Sequence, residues 1–221
     1  MKVLLAVFNL SKRGGKERDC LAVGKFLAGR GHDVTLVSTK IGSEVVPFHY
    51  RILRRSGISN HARARAFAGA VVEHCAATKP DVLLAFEKIP GADFYYAAES
   101  ASGSQRRNVL SWPGRRLTFQ QLERGLFESA ARTRVFFLTE RQRDEYALIY
   151  NFDRSRSTVL PLVLHGERYE QAERRTDSTQ IREQLGLPQD AIVAISLAVI
   201  PKQKGVDRTL AALVDYPIFI S

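Results

Sequence analysis

Six consecutive apolar residues follow Lys2 in the stretch KVLLAVF, Lys2–Phe8. A strand with one wet face alternates apolar and polar positions. A strand that is apolar at every position needs cover on both faces, as in a parallel sheet flanked by helices. The rest of the chain keeps to that pattern. A helix is predicted over 16–30, with Cys20, Val23 and Leu27 on one face and Gly31 placed to end it. DVTLVST, Asp33–Thr39, reads as a second strand. EVVPFHYRIL reads as a third, bent or at a sheet edge because of Pro47. A helix over 60–78 carries Phe67, Val71 and Cys75 at spacings of four. DVLLAF, Asp81–Phe86, and FYYAAES are further strands. A helix over 118–131 presents Phe119, Leu122 and Leu126. The strand VFFLT, a helix over 140–150 and the strand STVLPLVL complete the block. Repeated strand–helix–strand units with fully apolar strands specify an α/β fold with a doubly wound parallel sheet, Rossmann-like in type.

A polar stretch without apolar period, HGERYEQAERRTDSTQ, then interrupts the pattern. We read residues 1–164 as a first domain, 165–177 as a linker and 178–221 as the opening of a second domain of the same kind. In that second block a short helix starts near Ser178, AIVAISLAVI reads as a strand, and VDRTLAAL opens another helix. About 45 residues cannot bury both faces of a parallel sheet by themselves, so the expectation is an incomplete second domain.

The charge narrows the partners. Of 221 residues, 33 are Lys or Arg and 23 are Asp or Glu, a formal charge of +10. Such an excess favours anions: nucleotides, phosphorylated sugars, anionic lipid or nucleic acid. It is concentrated in two places. Arg51, Arg54, Arg55, Arg63 and Arg65 lie with His49 and His61 in an acid-free stretch from Pro47 to Val72. Six arginines lie between Ala101 and Arg132 against Glu123 and Glu128. No nucleic-acid motif accompanies the charge, so nucleic acid is not an expected partner. Cys20 and Cys75 fall on apolar helix faces and read as buried free thiols of a cytoplasmic protein. No zinc spacing, nucleophile elbow or carboxylate cluster is present, and no metal is expected. The N-terminus reads as a buried strand, not as a signal peptide.

In doubly wound sheets the ligand sits in the crevice outside the carboxyl ends of the strands. Four loops follow strands and supply candidates. In SKRGGKERD, Gly14 and Gly15 remove side chains at a helix start, where backbone N–H groups can face an anion. Arg18 and Asp19 follow within the first turns. Asp19 reads as a base, a sugar-hydroxyl acceptor, or a first-turn acid that complements the helix dipole and pairs with Arg18. In NHARAR, Asn60 suits a helix cap and His61 a hydroxyl ligand or base. In EKIPGAD, Pro90–Gly91 makes a turn that puts Lys88 and Asp93 at the carboxyl edge. In PKQKGVDR, Lys204 supplies charge and Gly205 access for a phosphate. The glycine pair matches neither G-x-G-x-x-G nor Walker A, and it is equally a plain turn.

Six stretches in this order resemble one family: GGKERD, NHAR, FEKIPGADFYYAAE, LTERQ, STVLP and KGVDR. The chain resembles the family-4 glycosyltransferases of the two-domain GT-B fold. That resemblance implies a metal-independent, retaining transfer of a hexose from a nucleotide sugar, UDP-glucose, to a heptose of the lipopolysaccharide inner core, with no further cofactor. By it, Gly14 and Gly15 line the cleft, Asp19 is the catalytic carboxylate or an acceptor ligand, and Lys204 with Gly205 neutralises the departing diphosphate. Arg106, Arg107, Trp112, Arg115 and Arg116 would face an anionic membrane surface, placing the protein on the inner face of the cytoplasmic membrane. The chain departs from the family where its interdomain PPG reads PLV, where the glycine before the phosphate loop is Ala198, and where an arginine is Gln203. The family's paired donor-sugar glutamates have no counterpart up to Ser221. The expectation is therefore an incomplete donor site with little turnover by this chain alone. The alternative is a non-catalytic remnant that binds the acceptor or the membrane.

Overall fold

The computed structural model describes residues 1–11, 14–42, 46–54, 57–102, 113–161, 178–196, 201 and 205–213. The chain divides into two units, Met1–Val163 and Leu164–Ser221.

The first unit is built on seven parallel strands: β1 (Lys2–Ala6), β2 (Asp33–Ser38), β3 (His49–Ile52), β4 (Val82–Ala85), β5 (Phe94–Ala97), β6 (Arg134–Phe137) and β7 (Ser157–Val159). Their order is β3-β2-β1-β4-β5-β6-β7. The helices are α1 (Gly15–Gly29), α2 (Asn60–Thr78), α3 (Pro113–Phe127) and α4 (Glu140–Tyr150). The chain builds outward from β1 to β3, then returns and builds the other way from β4. The carboxyl ends of β1 and β4 therefore flank the point where strand order reverses.

The apolar run that opens the chain serves two cores. Leu4 and Ala6 of β1 join Phe67 and Val71 of α2, Leu126 and Phe127 of α3 and Tyr146 of α4. Val3, Leu5 and Val7 face the other way, onto Cys20 of α1, Leu36, Phe86 and Tyr96. Alternate side chains of one strand thus reach opposite layers, and neither face of β1 meets water. Phe127 centres the first core, 4.4 Å from the ring of Tyr146 and edge-on to Phe152 at 5.4 Å.

The ends of the elements follow local chemistry. Gly31 leaves α1 at φ +82°, and its N–H donates to Ala28 O. Ser59, not Asn60, caps α2: its Oγ accepts from Ala62 N, while Asn60 is the first helical residue. Pro47 precedes β3, which lies at the sheet edge as expected for a strand entered through proline. Helix α3 begins five residues before its expected start, Pro113 fitting the first helical position.

In the second unit the described elements are α5 (Ser178–Gln184) and α6 (Val206–Ala212). The strand expected in AIVAISLAVI is not formed over residues 191–196. Those residues carry no regular structure, and Ile192 and Ile195 are exposed. A strand needs a ladder partner, and no ladder to this stretch exists among the described residues. Residues 165–177, expected as a linker, lie outside the described set.

Candidate functional site

The loop after β1 and the loop after β4 meet at the reversal point. Phe8 N donates to Glu87 Oε1 at 3.2 Å, which ties the two strand ends together. Lys16, the second residue of α1, places its Nζ 2.6 Å from the same oxygen. Glu99, just past β5, lies 3.6 Å from Lys16 Nζ through Oε1 and 4.0 Å from Lys88 Nζ through Oε2. Lys88 Nζ in turn lies 2.7 Å from Glu123 Oε1 on α3. Five charged side chains from α1, α3 and the loops after β4 and β5 alternate in sign along the carboxyl edge of the sheet. A narrow cleft there is lined by Phe8, Phe67, Glu87, Lys88, Glu99 and Phe119 among others.

The members differ in their surroundings. Glu123 is fully buried and accepts from Ser102 N at 3.0 Å, Ser102 Oγ at 2.9 Å and Tyr150 OH. Lys88 also lies 5.3 Å from the ring centre of Phe119. Burial pushes the Glu87 carboxyl up, with Lys16 opposing that shift. For Lys16, burial works against the charge, but the Glu87 carboxylate overrides it and raises the ammonium above its ordinary range. Glu99 alone of the three carboxylates is exposed, at 60%. Its backbone is nevertheless held firmly. Gln142 Nε2 donates to the carbonyls of Ala97 and Glu99, each at 2.8 Å, and Tyr146 OH donates to Glu99 O at 3.1 Å.

The sequence candidates divide around this network. Gly14 is the N-cap of α1 with extended backbone, and a Cβ there would run into the Glu17 carboxylate. The positive end of α1 thus carries its own anion three residues on, as in a capping box. Gly15 is exposed, and only Arg18 Nη2 lies near the place a Cβ would take, at 3.9 Å. Arg18 is exposed. Asp19 does not reach the network: its Oδ2 accepts from Tyr96 OH at 2.6 Å, linking α1 to β5 beside the second core. Burial and the hydrogen bond to Asp19 raise the Tyr96 phenol.

Asn60 is exposed and accepts from Arg63 Nη2 at 2.7 Å. The ring of His61 lies against Ser59 Oγ, with Nδ1 at 3.0 Å, in a groove between α2 and α3 that Arg65, Gly114 and Thr118 also line. It is not part of the charged network. Lys88 lies at the carboxyl edge as expected, but its ammonium is committed to Glu123.

Asp93 is a correction. The eight residues between β4 and β5 run back across the sheet without a helix, so Asp93 ends at the amino edge, immediately before β5. There Oδ2 accepts from Leu83 N at 2.8 Å and its carbonyl accepts from Arg134 N. Lys88 and Asp93 sit at opposite ends of the strands. In the second unit, Gly205 caps α6 at φ +75°, where a Cβ would strike the Arg208 guanidinium. Arg115 and Arg116 are exposed at the start of α3. Lys204, Arg106, Arg107 and Trp112 lie outside the described residues.

The sequence motifs do not single out Lys16, Glu87, Glu99 or Glu123. Two of these carry a usable signal. Glu87 follows β4 and Glu99 follows β5 by two residues each, the positions from which a doubly wound sheet builds its crevice. Among the described residues no group of three or more His, Cys, Asp and Glu is arranged to hold a metal ion. No helix among them is long and apolar enough to cross a membrane.

No family model matches the chain. It is 25% identical to the lipopolysaccharide glucosyltransferase WaaG of Escherichia coli (strain K12) over 224 residues, which cover 98% of this chain and 59% of that protein. The fold superposes on a crystal structure of WaaG, described as a glycosyltransferase involved in lipopolysaccharide biosynthesis, with TM-score 0.82. That match has 24% identity and covers 97% of this chain and 60% of that one. A glycosyltransferase from Rickettsia africae ESF-5 matches with TM-score 0.59 and 12% identity, over 99% of this chain and 59% of that one. The chain thus spans about three fifths of the length of these relatives. Along almost its whole length in sequence, and in its Rossmann-like fold, the chain resembles the lipopolysaccharide glycosyltransferases of the GT-B class.

Proposed function

We propose that this chain belongs to a retaining, metal-independent glycosyltransferase that moves a hexose, glucose, from UDP-glucose to a heptose of the lipopolysaccharide inner core. The observation that carries this reading is the charged cleft at the strand-order reversal, in a chain similar to WaaG over 98% of its length. Carboxylates accept hydrogen bonds from sugar hydroxyls, and aromatic walls cover the apolar face of a ring. Glu99 offers the first beside the partly exposed Phe8 and Phe119, which offer the second. In this reading the first unit holds the acceptor. Gly15 leaves backbone open at the start of α1, and Lys204 and Gly205 serve the donor diphosphate. Asp19 acts by holding α1 against β5 through Tyr96, not as the reacting carboxylate.

The same reading puts the protein on the cytoplasmic face of an anionic membrane. Arg115, Arg116 and the exposed Leu117 open α3, with Arg106, Arg107 and Trp112 preceding them in sequence.

Radiolabelled UDP-glucose and purified heptose-terminated core, incubated with this chain, test the proposal. Label in the core supports it. Core oligosaccharide bound without transfer supports the acceptor half and refutes turnover by this chain. The absence of both binding and transfer overturns it.

A further inference from the structure

Lys16 occupies an unusual position. It is the second residue of α1, yet its ammonium reaches across the crevice to the loop after β4, 2.6 Å from Glu87 Oε1. Glu87 is itself fixed by Phe8 N. The same ammonium stands 3.6 Å from Glu99 Oε1, while Lys88 stands 4.0 Å from the other oxygen. Lys88 is held from behind by the buried Glu123. Each lysine therefore has one enclosed carboxylate as its anchor, and the two share Glu99 between them.

A Glu side chain on the surface normally samples several rotamers, and fixing it costs side-chain entropy. Glu99 has its backbone pinned by Gln142 and Tyr146 and both carboxylate oxygens facing cations, yet it is 60% exposed. That combination leaves the carboxylate oriented but open to a ligand. We propose that Lys16 is a positioning residue: seated on Glu87, it holds the exposed Glu99 carboxylate toward the crevice so that it accepts a hydroxyl of an uncharged sugar ring. The preference for an uncharged ring follows from the cluster, in which three carboxylates face two ammonium groups. A phosphate or carboxylate on the ring would meet excess negative charge, although the chain as a whole is strongly basic.

This inference rests on the acceptor reading above for its ligand but not for its geometry, and its test separates the two. Four proteins are compared: the unaltered chain, Lys16→Met, Lys16→Arg, and Lys16→Met/Glu87→Gln. The double variant leaves no carboxylate stranded at Glu87, so it repairs any purely structural damage while still depriving Glu99 of its partner.

The first readout is the NMR order parameter of the Glu99 side chain, which needs no ligand. It falls in both Met variants and is kept by Lys16→Arg. The second is the dissociation constant for a deacylated, unphosphorylated, heptose-terminated core oligosaccharide. It rises about tenfold in both Met variants, the worth of one charge-assisted hydrogen bond, and Lys16→Arg stays near the unaltered value. The phosphorylated oligosaccharide binds more weakly than the unphosphorylated one. Unchanged order of Glu99 in the double variant, or its full recovery of oligosaccharide binding, overturns the assignment. Failure of the unaltered chain to bind either oligosaccharide refutes the acceptor reading, and the order parameter still decides the role of Lys16.

Discussion

Lys88 Nζ lies 2.7 Å from Glu123 Oε1, and Glu123 is wholly enclosed while Lys88 is 8% exposed. The pair joins the loop after β4 to the middle of α3, and through Ser102 it fixes the chain just past β5. Removing one partner strands a charge in the interior. Lys88→Met or Glu123→Leu is therefore expected to lower stability in urea unfolding by about 3–5 kcal/mol. The double variant Lys88→Met/Glu123→Leu recovers most of that loss, since neither charge is then unpaired. A double variant as unstable as the worse single one would show that the other hydrogen bonds of Glu123, not the pair, dominate.

Gly125 of α3 packs against Pro90, whose Cβ lies 2.6 Å from where an alanine Cβ would stand, with Cα at 3.3 Å. The proline ring cannot swing aside. Gly125→Ala gains up to about 1 kcal/mol of helix propensity but overpacks this contact, at about 1–3 kcal/mol. A net fall in thermal midpoint is expected, by contrast with Gly29→Ala, where no atom lies within 4 Å of the added methyl.

Arg156 gathers the end of α3 and the chain beyond it. Nη1 donates to Ala131 O at 2.7 Å and Thr133 O at 3.2 Å, and Nη2 donates to Phe127 O at 3.1 Å. Cations are favoured at a helix carboxyl end, and the planar fork serves several carbonyls at once. Arg156→Ala is expected to lower stability by about 2 kcal/mol. Arg156→Lys recovers less than half, because one ammonium cannot span these carbonyls. Equal stability of the Lys variant and the unaltered protein would refute the role of the fork.

His74 of α2 has its imidazole pushed below the ordinary range, first by burial and then by the Arg51 guanidinium. The folded state binds this proton less tightly than the unfolded chain. Its contribution to stability is therefore complete above the ordinary histidine range and is lost as pH falls through it. An NMR titration is expected to place the His74 midpoint below 6.5, and Arg51→Gln moves it only part of the way back. An unshifted midpoint would remove the basis for both statements.

Both cysteines are free thiols. Burial raises Cys20 far above its ordinary range, with Glu17 and Glu87 adding to the shift, and also raises Cys75. At pH 8 a disulfide reagent should label Cys75 slowly and Cys20 only on unfolding, because the thiolate is the reacting form. Rapid labelling of Cys20 in the folded protein would contradict its enclosure.

Local rules decide much of the architecture before any packing is considered. The continuous apolar run at β1 demands cover on both faces, and it has cover on both. Helices α2 and α4 lie where their periodicity puts them, because caps and stops such as Ser59, Thr139 and Asn151 are short-range chemistry. Over residues 191–196 the strand expected from AIVAISLAVI does not form, for the opposite reason: a ladder depends on a partner elsewhere in the chain.

The site is legible in the sequence only in outline. Its strand-end loops can be located there, since they follow from topology. Which side chains converge cannot. The compact look of the Pro90–Gly91 turn suggests the crevice for Asp93, yet the loop crosses the sheet and delivers Asp93 to the far edge. Asp19 stands out as an acid near the glycines, yet Tyr96, 77 residues away, claims its carboxylate. Lys16, Glu87, Glu99, Lys88 and Glu123 span more than 100 positions of sequence and meet within 4.0 Å steps only because the sheet reverses order between β1 and β4. Periodicity and caps act over a few residues and are written in the sequence. Pairing between charges acts through space, and only the tertiary structure decides which charge faces which.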